Sequence, residues 1–208
     1  MYEEEELIVV GIDPGLTRCG VAVINLKNPK VGAKRAVEFI QAQVLTTEVK
    51  FAHEDRLLQL DDKLNAFFSM FGNEDQVVVA IERPFLTKHN PNTAMGTAQV
   101  MGLVMVHSRR RNYGVELFTP PQIKTAVTGN GRADKKQIMN AVSILLGLNS
   151  KISAPPDAFD ALAIAITCIN RGVGVDSALS SGTQNAETEA QRIWKDATKN
   201  ALKKHLRM

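Results

Sequence analysis

Two short apolar runs, each closing on an acid, constrain this chain most. Residues 7–13 (LIVVGID) lead straight into Pro14-Gly15 and read as a buried strand entering a turn. Residues 76–82 (QVVVAIE) are too short and too Val-rich for a helix and read as a central strand, covered on both faces. Residues 19–26 and about 34–45 read as two further strands separated by Asn28-Pro29-Lys30, which with the first make an antiparallel meander. Residues 115–119 add a fifth strand. Between them the apolar period lengthens to that of a helix: Leu57, Leu60, Leu64, Phe67, Phe68 and Phe71 define one over about 52–71, closed by Gly72. Another spans about 92–111, with Thr93 as its cap. Thr119 and Pro121 start a short helix through Val127, and Gly129-Asn130-Gly131 makes a flexible loop. Asp134 and Gln137 have the spacing of a capping box for a helix to Leu146, and Pro155-Pro156 opens an apolar helix over 157–171, stopped by Gly172. The expected class is α/β, a five-stranded mixed sheet flanked by helices.

The organisation is one domain over 1–173 and a tail over 174–208. The tail holds a Ser/Gly-rich linker, then a marginal basic amphipathic helix that can dock on the body, bind DNA or stay disordered. No apolar run is long enough for a membrane span, and the acidic start, Glu3 to Glu6, is unlike a secretory signal, so a cytoplasmic protein is expected. Cys19 and Cys168 suggest neither a disulfide framework nor a zinc site and read as small core residues. The net charge of +3 hides an uneven distribution. Residues 1–82 carry 8 Lys/Arg against 14 acids, whereas residues 83–136 carry 9 Lys/Arg against two, a net of +7. A basic middle third suits a polyanion-binding face.

The positions of the acids carry the chemistry. Asp13 ends the first strand and Glu82 the fourth, while Asp157 and Asp160 lie three apart in the first turn of the last helix and so share a face. Strands one and four can be neighbours, with their ends meeting the start of a packed helix. Four carboxylates there would repel one another unless cations sat between them. Oxygen ligands without Cys or a His cluster select Mg²⁺ or Mn²⁺ rather than zinc. Each acid alone has an ordinary explanation, in a turn, a strand end or a helix dipole. Asp160 is the exception, because its neighbours from Phe159 to Ile166 are almost all apolar.

At these positions the chain resembles the RuvC-type Holliday-junction resolvases. The resemblance rests on residues 11–20 (GIDPGLTRCG), 80–85 (AIERPF), 122–127 with 129–136, and 156–166 (PDAFDALAIAI). It covers about residues 7–172, in order and at similar spacing. It implies a ribonuclease H-like fold and a structure-selective endonuclease that resolves four-way junctions by paired symmetric nicks, in DNA recombination and repair. It implies two Mg²⁺ ions per subunit, with Mn²⁺ as substitute, held by Asp13, Glu82, Asp157 and Asp160, and hydrolysis leaving 5′-phosphate and 3′-hydroxyl ends. Lys124 and Lys135 match basic residues that approach the scissile phosphate, and Phe85 matches an aromatic that stacks on a base near the branch point. Lys88, Arg132 and Lys136 complete the expected DNA-contacting set. The expected partners are four-way junction DNA, a second copy in a homodimer, and a branch-migration motor of the RuvA/RuvB type. The 92–111 helix, rich in Ala98, Val100, Met101, Leu103, Val104 and Met105, is apolar over more of its surface than one side of a sheet can cover, and the excess is assigned to the dimer interface. Two rival readings are an actin-like ATPase or sugar-kinase-type nucleotide binder using residues 11–20 as a phosphate loop, and a non-catalytic junction-binding protein. The first lacks a second Asp-x-Gly turn, and the second leaves four acids without a purpose.

Overall fold

A computed structural model describes residues 6–27, 36–72, 76–83, 91–148 and 154–171. The expected tail over 174–208 lies outside the described residues, as do Phe85 and Lys88. Five strands form: β1 Glu6–Asp13, β2 Arg18–Lys27, β3 Ala36–Thr46, β4 Val77–Glu82 and β5 Gly114–Phe118. Five helices accompany them: α1 His53–Phe68, α2 Pro91–Arg110, α3 Pro120–Thr128, α4 Lys135–Leu145 and α5 Pro156–Asn170. The strands lie in one sheet in the order β3-β2-β1-β4-β5. The first three make the expected antiparallel meander, and β4 and β5 join β1 in parallel.

Side-chain parity along the strands divides the core into two layers. Val10, Ile12, Val21, Val23, Val79 and Ile81 face one side, against Leu60, Leu64 and Phe68 of α1 and Val100 and Val104 of α2. Val9, Ala22, Ile24 and Ala80 face the other, against α5, with Ile123 and Val127 of α3 and Ile138, Ala141 and Val142 of α4 behind it. Helix α5 is thus sandwiched between the sheet and α3/α4, which is why its residues from Ala161 to Ile169 are all buried. Each fully buried aliphatic side chain contributes about 1.5–3 kcal/mol.

Two local expectations change. Helix α2 begins at Pro91, so Thr93 is not its cap but a first-turn residue whose carbonyl accepts from Thr97 Oγ1. Most of the apolar surface of α2 is also used inside the subunit. Val100 and Val104 are fully buried and Met101 and Leu103 pack on the same core, which leaves Met95, Ala98, Met105 and Val106 exposed along one stripe. Of the histidines, His107 is buried between α1 and α2, 2.8 Å from Asp61 Oδ1 and stacked on Phe68, and His53 meets Gln99 at 2.6 Å. Both join the two helices rather than form a site.

Candidate active site

The same parity carries the acids to one place. Leu7 and Val9 face α5, and Gly11 abuts it, so Asp13, continuing the odd positions, comes out on that side. On β4, Val78 and Ala80 face α5, so Glu82 follows them. The parallel pairing of β1 with β4 reaches Ile12 opposite Ile81. One residue further, Asp13 and Glu82 therefore stand at the ends of adjacent strands.

Helix α5 meets these strand ends because glycine lets it come close. A Cβ on Gly11 would lie 2.0 Å from the Ala161 carbonyl oxygen, and one on Gly20 would lie 2.1 Å from that of Asp157 and 3.3 Å from Asp13 Cβ. Gly20 pairs directly with Asp13 across the β1–β2 ladder. Without side chains at these two positions, the first turn of α5 rests on the sheet. One ligand oxygen each from Asp13, Asp157 and Asp160 then lies within 4.8 Å of the others. Glu82 is outside this tight group of three but lines the same cleft, of about 310 Å³, together with Asp13, Asp160, Lys124 and Lys135.

The electrostatics are those of acids forced together. Burial, followed by the neighbouring charges of Glu82, Asp160 and Asp157, pushes the Asp13 carboxyl up to about 7. Burial and then Asp160 push Glu82 up to about 7 as well, against the lowering effect of Lys124 and Lys135. Two basic side chains partly offset the crowding. Lys135 Nζ sits 3.0 Å from Asp160 Oδ2, and this hydrogen bond raises the affinity of the ammonium for its proton. Arg18 Nε donates to Asp157 Oδ2. Lys135 is the first residue of α4, where a cation opposes the helix dipole, so its placement calls for a local acid. The Asp134–Gln137 capping box fixes that position: Gln137 N donates to Asp134 Oδ1 at 2.8 Å and Asp134 N to Gln137 Oε1 at 2.9 Å. A second box starts α3, where Thr119 N donates to Gln122 Oε1 at 2.9 Å and so sets where Lys124 faces the cleft.

The turn from Asp13 to Arg18 is held from α1. Arg56 donates to Thr17 Oγ1 at 2.6 Å and to Thr47 Oγ1 at 3.2 Å, and Thr47 Oγ1 donates to the Leu16 carbonyl at 2.6 Å. Sequence reasoning gave no part to Arg18 or Arg56. A signal for Arg18 was present, since it shares the parity of Gly20 and Ala22 on β2 and so faces α5. Of the other expected DNA-contacting residues, Arg132 and Lys136 are exposed beside Lys135 at the entrance to α4. Both cysteines are fully buried, and burial pushes the Cys19 thiol up to about 12, so neither is a ligand or nucleophile.

The chemistry of the donors fits hard divalent cations. They are carboxylate oxygens only, crowded together, with positive side chains at the cleft wall. A mixed sheet in this order, with acids gathered where two central strand ends meet a crossing helix, is the ribonuclease H-like arrangement of a phosphodiester-cleaving protein. The family model of the crossover junction endodeoxyribonuclease RuvC matches residues 9–168. The chain is 41% identical to the crossover junction endodeoxyribonuclease RuvC of Bifidobacterium adolescentis over 199 residues, 95% of this chain and 96% of that one. It is 42% identical to that of a Mycobacterium species over 158 residues, 76% and 80% of the two chains. Among solved structures, Thermus thermophilus RuvC superposes with a TM-score of 0.64 at 27% identity, over 77% of this chain and 92% of that one. The same protein in complex with Holliday junction substrate gives 0.64 at 28% identity, over 77% and 91%. The chain belongs to the RuvC family of crossover junction endodeoxyribonucleases.

Proposed function

We propose that this endonuclease cuts four-way DNA junctions with Asp13, Glu82, Asp157 and Asp160 holding two Mg²⁺ ions. The observation that carries the reading is the meeting of the Asp13, Asp157 and Asp160 carboxylates within 4.8 Å, with Asp13 and Asp160 lining a cleft together with Glu82, Lys124 and Lys135. Held by these residues, two such ions would supply an activated water and charge stabilisation at the leaving 3′-oxygen, chemistry that gives 5′-phosphate and 3′-hydroxyl ends. The protein's own groups do the rest. Asp13 and Glu82, crowded on adjacent strand ends, hold part of their protons at neutral pH, and arriving positive charge favours their release. Lys124 and Lys135 face the cleft and offset negative charge on the phosphoryl oxygens. Arg132 and Lys136, on the adjoining exposed surface, contact the DNA backbone, as does Lys88, with Phe85 at the branch point.

The RuvC–Holliday junction complex of Thermus thermophilus supports the junction as substrate. A four-way junction has approximate two-fold symmetry, so a two-fold dimer presents matching sites to opposing strands. The stripe of Met95, Ala98, Met105 and Val106 on α2 supports that face as the dimer interface. The same reading pairs the dimer with a branch-migration motor. Two buried, unpaired thiols suit a reducing cytoplasm. The test is cleavage of a synthetic mobile four-way junction against a matched linear duplex, with Mg²⁺ or EDTA. Paired nicks in the junction alone, and only with Mg²⁺, support the reading; equal cutting of the duplex, or cutting in EDTA, overturns it.

A further inference from the structure

The proposed metal cluster contains a basic residue that the mechanism above does not use. Arg18 opens β2 and faces α5 with Gly20, and its Nε donates to Asp157 Oδ2, a carboxylate of the group of three. The backbone that carries the guanidinium is fixed. The turn that carries it is pinned from α1 by Arg56 on Thr17 and by Thr47, just past the end of β3, whose backbone N–H also donates to the Thr17 carbonyl at 3.1 Å. Unlike Lys124 and Lys135, Arg18 does not line the cleft. Half of its side-chain surface is exposed, so it can leave Asp157 for solvent without stranding a buried charge.

We propose that Arg18 is a built-in counter-ion that competes with divalent cations for Asp157 and thereby sets how tightly the site holds them. Asp157 with no cation nearby would repel Asp13 and Asp160, and Arg18 keeps the first turn of α5 in place until a metal arrives. A carboxylate oxygen engaged by a guanidinium N–H is a poorer ligand, so metal entry requires this pair to open. Arg18 is therefore a positioning residue, acting through Asp157.

The inference rests on the reading of the cluster as a metal site, and calorimetry separates the two. Full-length wild type, Arg18→Ala, Asp157→Asn and the double variant are titrated with MnCl₂ and MgCl₂, and their melting is followed with and without metal. Arg18→Ala is expected to bind Mn²⁺ about two- to fivefold more tightly than wild type, the range of a partly exposed ion pair. Without metal it melts at a lower temperature than wild type, and it gains more from saturating Mn²⁺. In the Asp157→Asn background the same substitution leaves the affinity unchanged. Unaltered or weaker Mn²⁺ binding by Arg18→Ala overturns the competition. So does equal tightening in the Asp157→Asn background, which would mark a general field rather than this pair. A wild-type protein that binds neither ion overturns the metal reading itself.

Discussion

Adding one methyl group at Gly20 tests whether close approach of α5 builds the site. An alanine Cβ there would lie 2.1 Å from the Asp157 carbonyl oxygen and 2.9 Å from the carbonyl carbon, both backbone atoms with no rotamer to yield. An ordinary C···O contact requires the first turn of α5 to retreat by roughly 1 Å. That turn carries Asp157 and Asp160, so both move away from Asp13 and Glu82. A misplacement of about 1 Å at reacting groups costs on the order of a hundredfold in rate. Overpacking should lower stability by about 1–3 kcal/mol, which leaves the protein folded. The assay is single-turnover nicking of a four-way junction with Mg²⁺, with circular dichroism for the fold and gel shift in EDTA for binding. Gly96→Ala serves as control, since a Cβ there meets Leu16 at an ordinary 3.6 Å and alanine favours the helix. Gly20→Ala should be folded, bind junctions and cut poorly, with Gly96→Ala near wild type. Near-normal cutting by folded Gly20→Ala would refute the reasoning.

Other substitutions probe the remaining parts. Glu82→Gln and Asp157→Asn should each lower cutting at least about a hundredfold while junction binding in EDTA persists, and loss of binding in parallel would contradict the division of roles. Lys124→Ala should lower the cleavage rate on the order of a hundredfold with junction affinity little changed, as read from single-turnover rates at saturating enzyme. Val106→Glu should give monomers at micromolar concentration by analytical ultracentrifugation, where wild type should sediment as the proposed dimer. Stability should also depend on pH. Folding raises Asp13 from 3.8 and Glu82 from 4.5, both to about 7, so the folded state holds protons that the unfolded chain releases in that window. Metal-free protein should therefore lose stability as pH rises from about 4 to 7, by at most roughly 4 kcal/mol for Asp13 and roughly 3 kcal/mol for Glu82, and saturating Mg²⁺ should reverse the loss. Melting curves that are flat between pH 5 and 8 in EDTA would argue against this crowding.

Most of the architecture was legible because each element announces itself locally. The Val-rich run ending at Glu82 became β4, the Asp134–Gln137 spacing became the observed capping box, and Pro155-Pro156 opens α5. The acids were legible as a set, though the reason they meet was not. It lies in two-residue parity and in strand order: odd positions on β1 and even ones on β4 face α5, and the order is fixed only when the chain folds. The roles of Gly11 and Gly20 were hidden for the same cause, since what a missing side chain admits depends on a helix far away in sequence. Arg18 was passed over because the strand was read from Cys19, which left Arg18 in the turn, whereas it opens β2 with the parity of Gly20 and Ala22. The extent of the apolar surface of α2 was overread, because a helix packed against both the sheet and α1 buries more than one stripe.

The most direct measurement is anomalous diffraction from crystals soaked in MnCl₂. The account expects manganese peaks among the carboxylates of Asp13, Asp157 and Asp160, with Glu82 as a further ligand, and loss of those peaks in Asp157→Asn. Peaks elsewhere, or an unoccupied cluster at millimolar Mn²⁺ in crystals of active protein, would contradict it.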